Sequence, residues 1–128
     1  MKKQLSLLLG LLLAACSGGS TPPGTPGEPS QGAHAFVMTG DFESGSYAAL
    51  PLADPSDTQV DLGPVHGDAV ARSFDGLVYV VNRFGADNVQ GIDPKRGWAT
   101  LFQCSVGNGS NPHDIAFAAP DKAYVTRY

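Results

Sequence analysis

The sequence is poor in cysteine and in positive charge. It has only two cysteines in 128 residues, and eight Lys and Arg residues stand against 12 Asp and Glu residues. Two cysteines cannot build a disulfide scaffold. Proteins that bind nucleic acid neutralise phosphates with clustered Lys and Arg, and this sequence has no such cluster. We therefore expect neither a disulfide-rich domain nor a nucleic-acid partner.

Beyond its N-terminal segment, the sequence also lacks the apolar periodicity of an amphipathic helix. No window keeps apolar residues at i, i+3, i+4 and i+7. Glycine and proline are plentiful instead, with 16 and 10 residues, which is typical of turn-rich β proteins or of disordered segments. The length leaves room for one small domain.

The N-terminus has the pattern of an export signal. Lys2 and Lys3 form a short positive region, and the apolar stretch Leu5–Leu13 follows. This stretch is too short to span a bilayer, which needs about 20 apolar residues, so it indicates a signal peptide. It ends in Leu13-Ala14-Ala15-Cys16, which resembles the lipobox of bacterial lipoproteins.

The lipobox resemblance implies that residues 1–15 are removed as a signal peptide and that Cys16 is acylated. Several acyl chains give lasting membrane attachment. Ser17, rather than Asp, follows the cysteine. By resemblance to enterobacterial sorting, this favours the outer membrane or cell surface over the inner membrane. The alternative is an ordinary secretory signal with an incidental cysteine.

Residues 16–32 are predicted to be a lipid-anchored linker. The stretch Ser17–Gly32 reads SGGSTPPGTPGEPSQG and has no apolar side chain to bury. Such a segment cannot offset the entropy lost on ordering, so we expect a flexible spacer with extended Pro-rich patches. We expect it to hold the folded region, residues 33–128, clear of the membrane.

Short apolar runs separated by Gly, Pro, Asp and Asn fill the folded region. Runs of four to eight residues with this punctuation predict β-strands. The predicted strands are His34–Thr39, Ser46–Leu52, Thr58–Leu62, Asp68–Ser73, Leu77–Asn82, Asn88–Asp93, Ala99–Ser105, Asp114–Ala118 and Lys122–Arg127. The fold class is therefore predicted to be all-β.

These strands repeat along the chain. Tyr79 and Tyr124 each lie in a Tyr-Val strand that follows an Asp-led turn, and they are 45 positions apart. The segment Ala35–Thr39 matches Val78–Asn82 with an offset of 43. A period of about 40–50 residues, with four strands in each unit, indicates the blades of a β-propeller.

Four segments carry a resemblance to a known family. Tyr79–Asn82 (YVVN), Val89–Asp93 (VQGID), Ser105–Gly107 (SVG) and Asn111–Phe117 (NPHDIAF) are similar to the YVTN-type β-propeller repeat. The resemblance covers roughly residues 34–128 and implies a partial β-propeller of four-stranded antiparallel sheets. The middle repeat matches well, whereas the first is degenerate and the last is incomplete.

The resemblance assigns about two blades to residues 33–128. One blade is complete, three strands before it match second, third and outer positions, and two strands after it begin another blade. We therefore expect the sequence to be an N-terminal fragment of a longer lipoprotein, with its remaining blades in C-terminal sequence beyond residue 128. The alternative is a small β protein that oligomerises to close a ring.

Four residues are candidates for a site at the mouth of a propeller channel. His66 and His113 hold similar places before predicted inner strands, with Asp68 and Asp114 close by. Imidazole and carboxylate groups suit a metal ion or a proton transfer. The alternative is turn stabilisation by the same side chains. We identify no catalytic residue, no metal site and no cofactor from the sequence.

Two function classes remain open. The first is a membrane-tethered, exported binding or structural module of the cell envelope, with a protein or glycan as its ligand. The second is a fragment of an exported propeller enzyme that resembles lactonase-like or quinoprotein-related members. Because no catalytic motif such as GxGxxG or GxSxG occurs, the sequence favours the non-enzymatic class.

The sequence also predicts the surroundings of two further residues. Cys104 lies in a predicted outer strand, where it is either a buried free thiol or the partner of a cysteine beyond residue 128. Trp98 is expected to pack between neighbouring blades.

Overall fold

The computed structural model describes residues 32–128, and within them the chain is all-β, as predicted. Two short 3-10 helices, Pro55–Asp57 and Pro94–Arg96, interrupt the strands. The nine strands of this range are β1 (His34–Gly40), β2 (Gly45–Pro51), β3 (Pro64–Val65), β4 (Ala69–Phe74), β5 (Leu77–Asn82), β6 (Asn88–Asp93), β7 (Ala99–Ser105), β8 (Pro112–Ala119) and β9 (Lys122–Arg127).

The predicted signal peptide, the predicted lipidation site Cys16 and most of the predicted linker lie outside the described residues. Within residues 32–128, no helix has both the length and the apolar character needed to cross a bilayer.

The strands form three antiparallel sheets that follow one another along the chain. The first sheet has the order β1-β2-β3, the middle sheet β4-β5-β6-β7, and the third sheet β8-β9. Within each sheet, every strand pairs with its neighbours in sequence. The middle sheet is thus a four-stranded meander whose first hairpin turns at Asp75 and Gly76. Both residues have positive φ, 48° and 78°, as a tight two-residue hairpin turn requires.

One apolar core lies between the first and middle sheets. It joins Tyr47 and Ala49 of β2 to Val78 and Val80 of β5. Trp98, in the turn after β6, packs in the same core, and its backbone carbonyl accepts a hydrogen bond of 2.7 Å from the Tyr47 hydroxyl. This hydrogen bond satisfies a polar group that burial would otherwise penalise.

A second core lies between the middle and third sheets. It contains Val81 of β5, Val89 of β6 and Ile115 of β8, with Tyr79 and Phe117 packed against them. The rings of Tyr79 and Phe117 are 4.5 Å apart between centroids. Because β5 contributes to both cores, its sequence is a continuous apolar run rather than an alternating one.

The two faces of each sheet are named by direction along the chain. The forward face of a sheet points toward the next sheet in chain order, and the rear face is the opposite one. In the middle sheet, Tyr79 and Val81 lie on the forward face, whereas Val78 and Val80 lie on the rear face.

The predicted strand Thr58–Leu62 is wrong for most of its length. Gln59 forms an isolated bridge with Ala49 through backbone hydrogen bonds of 2.9 and 3.0 Å, and the Leu62 N–H donates to the Tyr47 carbonyl at 3.0 Å. Asp61 then adopts a φ of 53°, which turns the chain out of the extended conformation. A strand that pairs with β2 begins only at β3.

Of the two alternatives for Cys104, the buried free thiol is wrong. Cys104 is an exposed free thiol in β7. All seven residues of β7 are exposed, because this strand forms the outer edge of the middle sheet. The sequence placed the strand correctly but not the degree to which its neighbours cover it.

Candidate functional site

The hairpin of β5 and β6 places three amide side chains on the rear face of the middle sheet. Asn82 at the end of β5 pairs with Asn88 at the start of β6, and Gln90 follows two positions later on the same face. The Asn82 amide donates to Asn88 Oδ1 at 2.9 Å and to Gln90 Oε1 at 3.3 Å. Three amides therefore form a connected chain of hydrogen bonds.

A β-bulge in β7 adds two more polar side chains. Gly91 pairs with Phe102 but Ile92 pairs with Thr100, so Leu101 is the extra residue. An extra residue reverses the alternation of side chains along a strand. Thr100 and Gln103, although three positions apart, therefore both reach the rear face of the middle sheet, as the hydrogen bonds of both side chains show.

These five side chains are named the amide cluster, and its members are tightly connected. The Gln90 amide donates to the Thr100 hydroxyl at 2.7 Å. The Gln103 amide donates to Asn88 Oδ1 at 2.8 Å. The cluster comprises Asn82, Asn88, Gln90, Thr100 and Gln103.

The amide cluster also contacts the segment that leads from the first sheet into β4. The His66 backbone N–H donates to Asn82 Oδ1 at 2.8 Å, and Gln90 Nε2 donates to the Pro64 carbonyl at 3.4 Å. Asn82 and Gln90 are only 2% and 4% exposed. Since a buried amide without partners costs about 1–3 kcal/mol, these bonds are required for both side chains to be buried.

A cleft of about 370 Å³ opens beside the amide cluster, between β3 and the middle sheet. Its lining contains no carboxylate, no lysine and no arginine. The lining residues are Pro64, Val65, His66, Asn82, Ala86, Asn88, Gln90, Thr100 and Gln103. Amides and hydroxyls both donate and accept hydrogen bonds, so the cleft suits a neutral ligand rich in hydroxyl or amide groups.

His66 and Asp68, two of the sequence-predicted candidates, stabilise the turn before β4. The Asp68 backbone N–H donates to His66 Nδ1 at 3.1 Å. The Asp68 carboxylate lies 3.5 Å from the Arg83 guanidinium, at the far end of the β4–β5 hairpin. In the described residues both side chains thus act within one local turn and hairpin.

His113 and Asp114, the other two candidates, lie at the start of β8. The Asp114 carboxylate accepts a hydrogen bond of 2.9 Å from Arg72 of β4, which links the third sheet to the middle sheet. This bond, and a second from the Ile115 backbone N–H, lower the pKa of Asp114. The His113 ring stacks on Tyr128 with 5.3 Å between centroids.

Apart from the bond between His66 and the Asp68 backbone, the side chains of the four candidates contact different residues. Within residues 32–128, no group of three or more His, Cys, Asp or Glu side chains is placed to hold a metal ion. Sequence reasoning missed the amide cluster. Its only sequence signal is that Asn82, Asn88 and Gln90 are polar residues in strands that are largely apolar.

Asp87 is a buried carboxylate that positions the loop between β7 and β8. It is 4% exposed and has a φ of 49°. Oδ2 accepts from the Gly109 N–H at 2.6 Å, and Oδ1 accepts from the Asn111 N–H at 2.9 Å. Both donors have positive φ, so one side chain holds a loop of unusual backbone conformation.

A second, larger cleft of about 1020 Å³ lies beside β1. It is lined by His34 and Phe36 of β1, by residues 71–73 of β4, and by Trp98. Among the described strands, β1 pairs only with β2, so no strand of residues 32–128 covers its other edge where this cleft opens.

The chain was compared with models of protein families, with curated proteins and with solved structures, and none of them matches it.

Proposed function

We propose that this protein is a lipid-anchored, exported binding module of the bacterial cell envelope, built on propeller-type blades. In this proposal the middle sheet is one complete blade, and the first and third sheets belong to its two neighbours. The blade would be a rigid support, and the amide-lined cleft between two blades would receive the ligand.

One observation supports the propeller-type arrangement most directly: residues at equivalent repeat positions lie on equivalent sheet faces. Phe36, Tyr79 and Tyr124 correspond in the repeat. Phe36 packs in the core between the first and middle sheets, and Tyr79 in the core between the middle and third sheets, so both are on forward faces. Tyr124 neighbours Val125, which packs against the second core, so Tyr124 lies on the forward face as well.

The next position in the repeat lies on the rear face in all three sheets. Val80 packs against the first sheet, and Val125 packs against the middle sheet. Val37 alternates with Phe36 and Met38, which both pack forward, so it lies on the rear face of the first sheet. Successive propeller blades require sheets that repeat in sequence and whose equivalent side chains point in the same direction along the series.

The unequal strand counts support the same arrangement. Within residues 32–128, the middle sheet has four strands, whereas the first sheet has three and no strand pairs with the second edge of β1. The larger cleft lies at that free edge, opposite β4. A strand added to β1 there would complete a second four-stranded blade.

The lipid anchor is proposed from Leu13-Ala14-Ala15-Cys16. Cells that express the full chain should incorporate labelled palmitate into it. The variant Cys16→Ser should lose this label, and Cys104→Ser should keep it, because Cys104 lies in the folded region. Label that survives Cys16→Ser would contradict the proposal. Density-gradient separation of the two membranes then tests whether the labelled protein is in the outer one.

The ligand is proposed to be a neutral glycan, because uncharged amides and a hydroxyl line the cleft. The test uses acyl-free protein, in which an ordinary secretory leader replaces residues 1–15 and Ser replaces Cys16. On an array of neutral and anionic oligosaccharides, it should bind neutral ones only. Gln103→Ala should abolish binding, and Gln59→Ala, an exposed glutamine outside the cleft, should not. Binding to anionic glycans alone, or binding unchanged in Gln103→Ala, would contradict the assignment.

A further inference from the structure

One exposed aromatic residue is held in a backbone conformation that costs free energy. Phe42, in the turn of residues 41–44 between β1 and β2, has a φ of 73° and is 84% exposed. A bulky residue with positive φ is strained, because its Cβ atom crowds the following carbonyl oxygen. Trp98 also has positive φ, but it packs in the first core. Within residues 32–128, no comparable burial offsets the strain at Phe42, so the fold itself gives no reason for a phenylalanine there.

Hydrogen bonds fix the backbone on both sides of Phe42. The Asp41 carboxylate accepts the Glu43 N–H at 3.0 Å and the Ser44 N–H at 2.7 Å. The Asp41 N–H in turn donates to the Ser44 carbonyl at 3.1 Å. These bonds close the turn and keep Phe42 at its tip.

The same turn lies against one end of the amide-lined cleft. Gly45, the first residue after the turn, pairs with Val65 of β3. A Cβ atom added to Gly67 would stand 2.8 Å from backbone atoms of Phe42. Val65 and His66 line the cleft, so the backbone of Phe42 is adjacent to the segment that forms one wall of it.

The charges of the turn favour a neutral ligand over a lipid surface. Segments that bind the membrane interface combine aromatic residues with Lys and Arg, because lipid surfaces are anionic. Phe42 instead stands between two acidic residues, Asp41 and Glu43, and the turn of residues 41–44 has no Lys or Arg.

The position of the turn also disfavours a membrane contact. The predicted linker ends at Gly32, and β1 runs from His34 to Gly40 directly after it. Seven strand residues extend over about 20 Å. The turn that carries Phe42 is therefore at the end of β1 opposite to the linker.

We propose that Phe42 stacks against a sugar ring of the glycan in the amide-lined cleft, and that this glycan consists of hexoses whose hydroxyls are all equatorial, as in β-linked glucose. The C–H groups of such a ring are axial and give its faces an apolar surface. The face of an aromatic ring carries partial negative charge and attracts these C–H groups, and burial of both surfaces adds a hydrophobic contribution. The amide cluster would bind the equatorial hydroxyls of the same chain. This inference rests on the proposed glycan ligand and adds the kind of sugar that it contains.

Calorimetric titration of the acyl-free protein with a tetrasaccharide of β-linked glucose tests the inference. Phe42→Asn removes the ring, and its affinity should be about tenfold weaker than that of the wild type, since one apolar contact surface is lost. Asparagine tolerates positive φ better than phenylalanine, so the midpoint of urea unfolding should stay equal or rise. Weaker binding without a loss of stability cannot result from misfolding. Phe42→Trp keeps an aromatic ring and should keep the affinity.

Phe84→Asn is the matched control. Phe84 is 72% exposed in the turn between β5 and β6, and its N–H donates to Asn111 Oδ1 at 3.2 Å, in the loop that leads to the third sheet. The cleft instead opens on the rear side of the middle sheet, so Phe84→Asn should bind the tetrasaccharide as the wild type does. An equal loss of affinity in the Phe42 and Phe84 variants would overturn the inference.

The remaining outcomes separate this inference from the proposed function. If Phe42→Asn binds as tightly as the wild type, the stacking contact is wrong and the glycan proposal stands. The same holds if the wild type binds other neutral oligosaccharides through Gln103 but not the β-linked glucose chain. A wild type that binds no neutral oligosaccharide would refute both. Binding to vesicles of phosphatidylethanolamine and phosphatidylglycerol that is lost in Phe42→Asn would make the ring a membrane contact and overturn the inference.

Discussion

Replacement of the buried Asp87 carboxylate should destabilise the protein more than replacement of any exposed acidic residue. Its two oxygens accept the backbone N–H groups of Gly109 and Asn111 at 2.6 and 2.9 Å. With the residue 4% exposed, water cannot replace these bonds efficiently. Three substitutions remove these hydrogen bonds to different extents: Asp87→Asn, Asp87→Gly and Asp87→Ala.

The expected losses differ among the three variants. A hydrogen bond to a charged group contributes about 1.5–3 kcal/mol. The Asp87→Asn variant keeps one acceptor, and its free energy of unfolding should fall by about 2–4 kcal/mol, because an amide NH₂ then faces a backbone N–H. Asp87→Gly loses both bonds, or about 3–6 kcal/mol. Asp87→Ala should lose about 1–2 kcal/mol more than Asp87→Gly, since the φ of 49° is strained for alanine but not for glycine.

Urea unfolding of the acyl-free protein measures these losses at one fixed protein concentration. Far-UV circular dichroism follows all strands, and the fluorescence of Trp98, the only tryptophan, follows the core between the first and middle sheets. Asp121→Asn, in an exposed turn, is the matched control. A loss below about 0.5 kcal/mol for Asp87→Asn, the range of ordinary surface substitutions, would refute the reasoning, as would greater stability of the alanine variant than of the glycine variant.

Two further predictions concern contacts within and between the sheets. Gly91→Ala should lower the free energy of unfolding by about 1–3 kcal/mol, because a Cβ atom there would collide with the ring of Phe102. Urea unfolding of the double variant with Phe102→Ala should show a loss smaller than the sum of the two single losses, and additive losses would contradict the predicted collision. The Arg72 guanidinium lowers the pKa of Asp114 in the folded protein. Their ion pair therefore stabilises the fold fully above about pH 4, which is the pKa of Asp in the unfolded chain. This contribution is lost as the pH falls through the lowered pKa of the folded protein. Since both side chains are about half exposed, Asp114→Asn should lose less than about 1 kcal/mol at neutral pH, and thermal unfolding across acidic pH should show a shallower dependence than in the wild type. An unchanged dependence would exclude this role.

The strands of the middle sheet were predictable because local signals and tertiary packing agree there. β5, β6 and β7 begin and end at the predicted residues. β-branched residues fill β5, and Asp75-Gly76 supplies the hairpin turn. The segment Thr58–Leu62 misled the prediction because it has strand-like residues, but the positive φ of Asp61 interrupts the extended conformation that would make it a strand.

The amide cluster could not be predicted, because it depends on register rather than on composition. Thr100 and Gln103 reach Gln90 and Asn88 only because Leu101 is bulged, and no residue type identifies Leu101 as a bulge. His66 and Asp68 were visible as a pair, but their hydrogen bonds within the turn depend on backbone geometry. A sequence shows which side chains can form hydrogen bonds, whereas the fold decides which of them meet.

The packing of β5 in both cores has a consequence for how the protein unfolds. Each of the two cores has one wall made by the middle sheet, and β5 is hydrogen-bonded on both edges. Opening this strand would expose both cores together, so its amide hydrogens should exchange with solvent only through global unfolding. The outer sheets can fray singly, whereas the centre opens as one cooperative unit.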